Sequence, residues 1–469
     1  MSGSGPVGVE ERVSLLLDVG STAVKAQLAV ADGVLAECSQ PMPGALPGRR
    51  PGRHEIDPVE VLAAVRRAVE QVLDGGHHPD RIAVSTQMHT ALIAEADGTP
   101  LTPMISWQDD RLAEVVDGRR RLEALDDAVP AEARLAAGIA RRPGFGAGNL
   151  AVQLQEQPVR PQPGARIHTV GSFVATALGG PYAVHLSAGA SLGLVDLDRG
   201  EWSAPLRRGW GLEGFALPEL VDGYRPLGTA MVQGRLLEWF PEIGDHQASV
   251  LGGGGLEPDE LAVSLGTAGI AARWSPERSR SSEVDSRPYP GGGYLLAVSR
   301  LPGGRLADQL AGFLAGVAGM LAGRSFEVGE VWRTAGALAA SPQRAAVAPV
   351  TGGLAVREDR GADGVSAVTL HGIGSGPADG VFEALMAHYT AEYRRAIALL
   401  WPEGEGPSRL RFNGGLAMRS GWFRERFAAE LGLEVADFPT GDLALAGLRR
   451  LLQQYDHDTA ASSVGEERS

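Results

Sequence analysis

Val13 to Leu17 is a short apolar run of strand-forming residues that ends at Asp18. Gly20, Ser21 and Thr22 follow as a polar turn. Val24, Ala26, Leu28 and Val30 then alternate with Lys25, Gln27 and Ala29. Period-two alternation is the pattern of a half-buried strand, so the stretch predicts a buried hairpin with Asp18 at its tip. Gly33 to Met42 reads as a third strand, and Pro43 to Arg53 as a loop. Asp57-Pro58 is an N-cap and first-turn pair. Behind it Val61, Leu62, Val65, Val69, Val72 and Leu73 recur at helical spacing until Asp74-Gly75-Gly76 stops them. Arg81 to Ser85 and Ala91 to Ala96 read as further strands, the second turned by Asp97-Gly98. Strands followed by amphipathic helices predict an α/β architecture.

The second half repeats the opening. Leu261 to Ala272 (LAVSLGTAGIAA) is an apolar strand, a Gly266-Thr267 turn and a second apolar run. Aligning Gly266 with Gly20 sets the two turns about half the chain apart, which predicts two duplicated α/β domains whose turns face one cleft. Trp274 to Pro290 is polar and reads as a loop. Tyr294 to Ser299 is a strand, and a long apolar helix starts at Leu306. Arg409 to Phe412 is a strand that enters Asn413-Gly414-Gly415, before a helix bearing Trp422, Phe423, Phe427 and Leu431. Leu443 to Leu452 is the last amphipathic helix, with His457 to Ser469 expected to be disordered. The expected domains are 13–249 and 250–455, between a disordered lead (1–12) and tail (456–469).

Bulk properties narrow the class. A chain of 469 residues has two domains as its prior. Hydrophobic content of 44% and charged content of 21% are those of a soluble globular protein. A net charge of −14 argues against nucleic acid and anionic membrane as partners. Cys38 is the only cysteine, which excludes a disulfide scaffold and cysteine-based zinc sites. No signal segment opens the chain and no apolar run approaches a membrane span, so a cytoplasmic location is expected.

Several short constellations can carry chemistry. A carboxylate such as Asp18 beside a turn of backbone N–H groups suits Mg²⁺ and phosphate oxygens, or is simply an ordinary hairpin turn. Lys25 is the only lysine of the chain, every other basic residue being arginine. A compact ammonium differs from a planar guanidinium, so its position near that turn is notable, or accidental. Gln87-Met88-His89 follows one strand end, and Trp107-Gln108-Asp109-Asp110-Arg111 follows another apolar stretch. Strand ends are where open α/β sheets place ligands, and a Trp beside carboxylates and an Arg suits a polyhydroxylated one. The plainer alternative for each is a capped turn. Pro143 to Asn149 breaks the dinucleotide fingerprint and lacks a feeding strand. Gly189 to Gly193 spells G-x-S-x-G, but strand rather than helix should follow it, against a nucleophile elbow. A Walker A motif is excluded, since no lysine completes one.

Taken in order, D-x-G-S-T…K at Asp18, Q-M-H at Gln87, W-Q-D-x-R at Trp107, G-D-x-Q-A-S at Gly244, S-L-G-T at Ser264 and the strand-Gly-Gly-helix unit at Gly414 resemble the FGGY carbohydrate kinases. The likeness covers Val13 to Leu452. The Gly144 loop, the GDHQAS segment and Ser286 to Ser299 are similar to the sedoheptulokinase branch, with xylulokinases the nearest competitor. The resemblance implies two ribonuclease H-like domains of the sugar kinase, actin and Hsp70 class. It implies ATP and Mg²⁺ as cofactors and a small sugar or polyol as substrate, and leaves a homodimer open. Asp245 would be the general base and would touch the sugar. Asp18 would hold Mg²⁺. Gly20, Ser21, Thr22 and Lys25, with Gly266 and Thr267, would serve the phosphates. Gly303, Gly304, Gly414 and Gly415 would line the adenosine end. Gln87, Met88, His89, Trp107, Asp109 and Arg111 would form the sugar pocket. Two departures touch specificity: His185-Leu186 stands where the family has a Thr/Ser-Asp pair, and Pro302 precedes Gly303-Gly304 in place of Asn. The expected reaction is phosphorylation of a terminal hydroxyl of a ketose, sedoheptulose first, D-xylulose second, a specialised polyol or cyclitol third. A non-catalytic sugar sensor is the alternative of another class, disfavoured because Asp18 and Asp245 are both present.

Overall fold

The computed structural model describes residues 12–140, 142–160, 162–266, 268–339, 355–360, 366–371, 380–436 and 441–466. The first lobe is built on β1 (Ser14–Val19), β2 (Ala23–Val30), β3 (Gly33–Pro41), α1 (Pro58–Leu73) and β4 (Arg81–Thr86). β1 pairs antiparallel with β2 and parallel with β4. All six residues of β1 and of β4 are buried, as expected of central strands covered on both faces. α1 starts where its pattern says: the Asp57 side chain accepts from the Val59 N–H, with Pro58 in the first turn. Leu15, Leu17, Val19, Val61, Val65, Val69, Ile82 and Val84 share one core.

After α2 (Gly146–Glu156) and α3 (Val170–Ala177), β5 (Gly228–Val232) and β6 (Arg235–Trp239) extend this sheet. Its order is β5-β6-β4-β1-β2-β3, with β7 (Ile243–Gly244) pairing the end of β4. β7 leads straight into α4 (Asp245–Gly252), so Asp245 is delivered to the end of the central strands.

The second lobe repeats the arrangement. β8 (Glu260–Leu265) pairs antiparallel with β9 (Gly269–Ser275). β10 (Asp285–Pro288), β11 (Tyr294–Leu301), β12 (Arg409–Asn413) and β13 (Glu434–Val435) complete a sheet ordered β10-β11-β9-β8-β12-β13. β8 runs parallel to β12 as β1 does to β4. The expected duplication is therefore present as one topology used twice. Helices α5 (Gly304–Ala322), α6 (Val328–Ala339), α7 (Gly380–Leu400), α8 (Gly415–Arg419) and α9 (Gly421–Leu431) belong to this lobe, where Tyr389, Tyr393, Phe423 and Phe427 pack as one aromatic cluster.

Two expectations are corrected. Trp274 to Pro290 is not all loop: β9 runs to Ser275, and β10 is a fully buried strand. Its polar residues are buried because they are paired. The tail is also ordered further than expected, since α10 runs Leu443–Glu466 and returns to the first lobe. Ala444, Leu445, Leu448 and Leu452 pack with Leu16, Ala83, Phe240 and Ala248. α4 and α10 cross backbone on backbone: a Cβ on Gly447 would lie 1.9 Å from the Ala248 carbonyl oxygen, and one on Gly252 equally close to that of Leu443. Asp456 holds Arg81 through two bonds of 2.6 and 2.7 Å, and Gln453 donates to the Ala31 carbonyl. The segment from Gly441 thus belongs with residues 13–249 in space. Among the described residues, no helix is long and apolar enough to cross a membrane.

Candidate active site

The parallel register sets Asp18 beside Ser85 and, across the hairpin, beside Lys25. Ser85 donates its hydroxyl to Asp18 Oδ1 at 2.8 Å. Lys25 Nζ lies 3.9 Å from Asp18 Oδ2 and 2.6 Å from Asp442 Oδ2. Asp442 also accepts from the Leu445 N–H and so caps α10. A cleft of about 350 Å³ is lined by Asp245, His246 and Ser249 from the first lobe and by Ser264, Asn413 and Gly414 from the second. Asp245 and Ser249 also line a second hollow of about 350 Å³ that reaches Asp18, Lys25 and Asp442.

The electrostatics of this cleft are unusual. Burial, and then the neighbouring Asp245, push the Asp18 carboxyl up to about 7, against the Ser85 hydrogen bond and Lys25. Burial pushes Asp245 up to about 6, against the His246 N–H that it accepts at 2.8 Å and the Arg287 charge. Two carboxylates held this high want a cation. Asp18, Asp245 and Asp442 are oxygen donors of the kind Mg²⁺ takes, and Mg²⁺ needs only one or two carboxylates when phosphates and water complete its shell. Among the described residues no group of three His, Cys, Asp or Glu is placed to hold a metal ion.

A second network, which sequence reasoning missed, braces the acceptor side. Asp285 accepts from Arg142 at 3.0 Å, from Arg287 at 2.9 Å and from the Ala140 N–H at 2.8 Å. Burial alone would raise Asp285, but the two guanidiniums hold it well below the usual carboxylate range. Arg287 also donates to His246 Nδ1 at 2.8 Å, one residue from Asp245. Arg142 donates to His89 Nε2 at 3.1 Å, while His89 Nδ1–H donates to the Ser191 carbonyl at 2.9 Å. Burial and the arginines lower both histidines and keep them neutral, which these bonds require. The chain Asp245–His246–Arg287–Asp285–Arg142–His89 spans both lobes. Of its members the sequence had pointed to Asp245 and His89, but not to Arg142, Asp285 or Arg287.

The remaining expected residues divide. Gln87 reaches the Gly20 carbonyl at 3.5 Å, and Met88 packs on Gly244, where a Cβ would lie 2.9 Å from its Cγ and Sδ. His89 sits beside them with φ +58, a costly value for a non-glycine residue. Trp107 is half-buried, and its carbonyl is so near Gly144 that a Cβ there would fall 2.6 Å away. Asp109 and Arg111 are not brought to the cleft. Both are fully buried and bonded to each other at 2.8 and 2.9 Å, with His54 N–H and Glu55 completing the knot. Gly20 spends its N–H on the Ala23 carbonyl, which shapes the turn carrying Ser21 and Thr22.

Gly266, Gly303, Gly304, Gly414 and Gly415 gather at the end of β8. The Gly304 N–H donates to the Gly266 carbonyl at 2.6 Å. A Cβ on Gly303 would strike the Ala268–Gly269 backbone at 2.5–2.8 Å, and one on Gly414 the Leu265–Gly266 backbone at 2.5–2.6 Å. These glycines first let three loops of the protein meet; of the last four, Gly414 lines the cleft. Thr267 lies outside the described residues. His185, the departure noted above, caps the helix Leu186–Ala190 by accepting from the Ser187 N–H, and burial lowers it to about 4. Glu242, three residues before Asp245, is a further buried carboxyl, raised by burial. It accepts from the Thr86 and Thr169 hydroxyls and the Gly171 N–H, tying β4, α3 and β7 together.

Comparisons with known proteins bear on the fold that carries these residues. A family model described as "FGGY family of carbohydrate kinases, N-terminal domain" matches residues 13–236. The glycerol kinase of Citrifermentans bemidjiense is 28% identical over 324 residues, covering 65% of this chain and 62% of that protein. The apulose kinase of Pectobacterium atrosepticum is 30% identical over 273 residues, covering 54% and 53%. The chain thus matches between about half and three fifths of the length of these relatives. The crystal structure of a xylulose kinase from Rhodospirillum rubrum superposes with a TM-score of 0.77 at 21% identity, over 94% of this chain and 89% of that one. Plasmodium falciparum glycerol kinase with ADP gives 0.70 at 16% identity, over 94% and 90%. The fold is that of the two-domain sugar kinases of the actin, Hsp70 and ribonuclease H-like class.

Proposed function

We propose, for a chain whose residues 13–236 match the model of the FGGY carbohydrate kinases' N-terminal domain, an ATP-dependent transfer of the γ-phosphate to a terminal hydroxyl of a ketose. One observation carries the reading: Asp18 and Asp245, from opposite ends of the first lobe's sequence, face one cleft with carboxyls raised to about 7 and about 6. Phosphoryl transfer needs charge neutralisation, positioning and one base for the incoming hydroxyl. Asp245 takes that proton, being buried, raised by that burial to about 6, with the His246 N–H and then Arg287 favouring its ionised form. Asp18, with Asp442 beside it, would hold Mg²⁺, which would neutralise phosphate charge. The N–H groups of Ser21 and Thr22, and Lys25, would meet the phosphates, and Gly414 the nucleotide. Gln87, Met88, His89 and Trp107 would shape the acceptor pocket, with Arg142 and Arg287 fixing its position.

Sedoheptulose is the first acceptor proposed, from the likeness of the Gly144 loop and of Ser286 to Ser299 to that branch. D-xylulose is the second, favoured by the xylulose kinases among the structural relatives. A panel of free ketoses, aldoses and polyols with Mg-ATP, read as ADP release, tests both. Release that depends on a ketose and is lost in Asp245→Asn supports the proposal. Release that no sugar stimulates, in protein that binds ATP, overturns it.

A further inference from the structure

A cavity of about 200 Å³ lies where the two lobes meet. Leu122, Phe145, Leu206 and Trp210 of the first lobe wall it, and the exposed Ser281 and Ser282 of the second stand at its rim. It shares no lining residue with the two clefts at Asp245, and the proposed transfer makes no use of it. The Phe145 and Trp210 rings face each other with centroids 5.4 Å apart.

The wall selects its occupant. An apolar cavity of roughly 150 Å³ is enough for benzene, so this one has room for a single substituted ring. The charged groups on the wall, Asp126 and Arg134, neutralise each other at 3.1 Å. A charged guest would lose its water and find no free counter-ion, so a neutral one fits better. Phe145 and Trp210 favour an aromatic guest, tilted or offset against them. The Trp210 indole N–H is spent on the Leu125 carbonyl at 3.2 Å, which leaves the guest's polar group to the serine hydroxyls at the rim.

The position gives such a guest a consequence. Gly138 and Ala140 line the cavity and also tie the lobes together. The Gly138 carbonyl accepts from the Ser286 N–H at 2.6 Å, and the Ala140 N–H donates to Asp285 Oδ1 at 2.8 Å. Gly138 has φ +63, and a Cβ there would lie 2.4 Å from Leu197 Cδ1 and 3.1 Å from Ser286 Cβ, so glycine is what lets β10 come this close. A guest beside these bonds touches both lobes and favours the arrangement in which they meet. We propose that the cavity is an effector site for a small, neutral, single-ring aromatic molecule whose binding strengthens the hold of β10 on the first lobe.

4-Bromophenol, uncharged at neutral pH, is the probe. Calorimetric titration of the full chain should give one site with a dissociation constant on the order of 0.5 mM, as a ligand of this size allows. Ala137→Leu enlarges a side chain of the wall and should weaken binding by about 10-fold or more. Soaked crystals should show the bromine's anomalous signal between Phe145 and Trp210. Hydrogen exchange should slow with the probe in the peptides that hold Ala140 and Ser286, and stay unchanged in α1. No binding at about 5 mM probe, or bromine only elsewhere, overturns the site. Binding that leaves exchange at Ala140 and Ser286 unchanged overturns its link between the lobes. If Ala137→Leu fails to fold, the bromine position decides. None of these measurements needs sugar or ATP, so the site stands or falls apart from the transfer proposed above.

Discussion

Replacing Asp18 by asparagine should make the free protein more stable at alkaline pH while removing its activity. Asp18 is buried, and its carboxyl is raised from 3.8 to about 7 by burial and by Asp245. A carboxyl whose folded value lies above its unfolded value binds its proton more tightly when folded. The ionised form therefore opposes folding: the penalty is absent below about pH 4, grows through the interval and is complete above about 7. Its size at pH 8.5 is on the order of 4 kcal/mol, against about 1 kcal/mol at pH 4.5. Asparagine carries no such penalty, but it weakens the Ser85 hydrogen bond and the attraction of Lys25, which costs about 1 kcal/mol. The variant should then gain about 3 kcal/mol at pH 8.5 and nothing at pH 4.5. At 2–4 °C per kcal/mol for domains of this size, that is a rise in Tm of roughly 6–12 °C. Differential scanning calorimetry of both proteins at the two pH values, with neither nucleotide nor metal, reads the gap directly. Titrating carboxylates away from Asp245 and Asp442 cancel in the difference. A variant less stable than wild type at pH 8.5, or a gap that does not change with pH, would refute the argument that Asp18 is a strained buried charge awaiting a cation.

Asp245→Asn should lower kcat by about 10²–10⁴-fold with KM for the sugar little changed, as loss of a general base does; near-normal turnover would remove Asp245 from that role. In the wild type kcat/KM should fall as pH drops through about 6, where Asp245 takes up its proton; Arg287→Met should move that limb to higher pH, because the guanidinium favours the ionised form, and an unmoved limb would sever Arg287 from Asp245. Lys25, with 39% of its side chain exposed, is the only lysine, so Mg-ATP should protect it from acylation while the N-terminal amine stays reactive, as read by peptide mapping; equal labelling with and without nucleotide would leave it only its pairing with Asp442 and Asp18. Small-angle scattering should show a smaller radius of gyration with ATP analogue and sugar than with neither, as two lobes closing on a cleft require; an unchanged radius at saturation would argue against closure.

What the sequence shows and hides follows from the range of each interaction. The hairpin of β1 and β2, its repeat in β8 and β9, and Asp18 and Asp245 at strand and helix ends are local, so period-two alternation and turn residues expose them. Asp442 is not local. It reaches Lys25 because α10 returns to the first lobe, and a helix that continues to Glu466 without a sustained apolar repeat gives no warning. Beyond Leu452 it is held by Tyr455 against Phe240, by Asp456 to Arg81, and by Gln453 to the Ala31 carbonyl. Asp285 and Arg287 were hidden for the opposite reason. Polarity reads as exposure, yet each neutralises the other's charge and so both can be buried in a strand. Asp109 and Arg111 show the same ambiguity from the other side, since residues that suit a sugar also suit each other. The glycines carry the deepest ambiguity. Gly303 and Gly414 do mark a place where something must approach the backbone closely, but spacing cannot say whether that something is a nucleotide or another loop of the chain. Here the loop at the end of β8 occupies part of that space, and of Gly303, Gly304, Gly414 and Gly415 it is Gly414 that lines the cleft. A bulky residue at Gly303 should therefore cost folding before it costs ATP affinity, whereas at Gly415, exposed, next to Gly414 and with only the Arg419 guanidinium 3.5 Å from its would-be Cβ, a substitution should leave the fold intact, as thermal melts of the two variants would show.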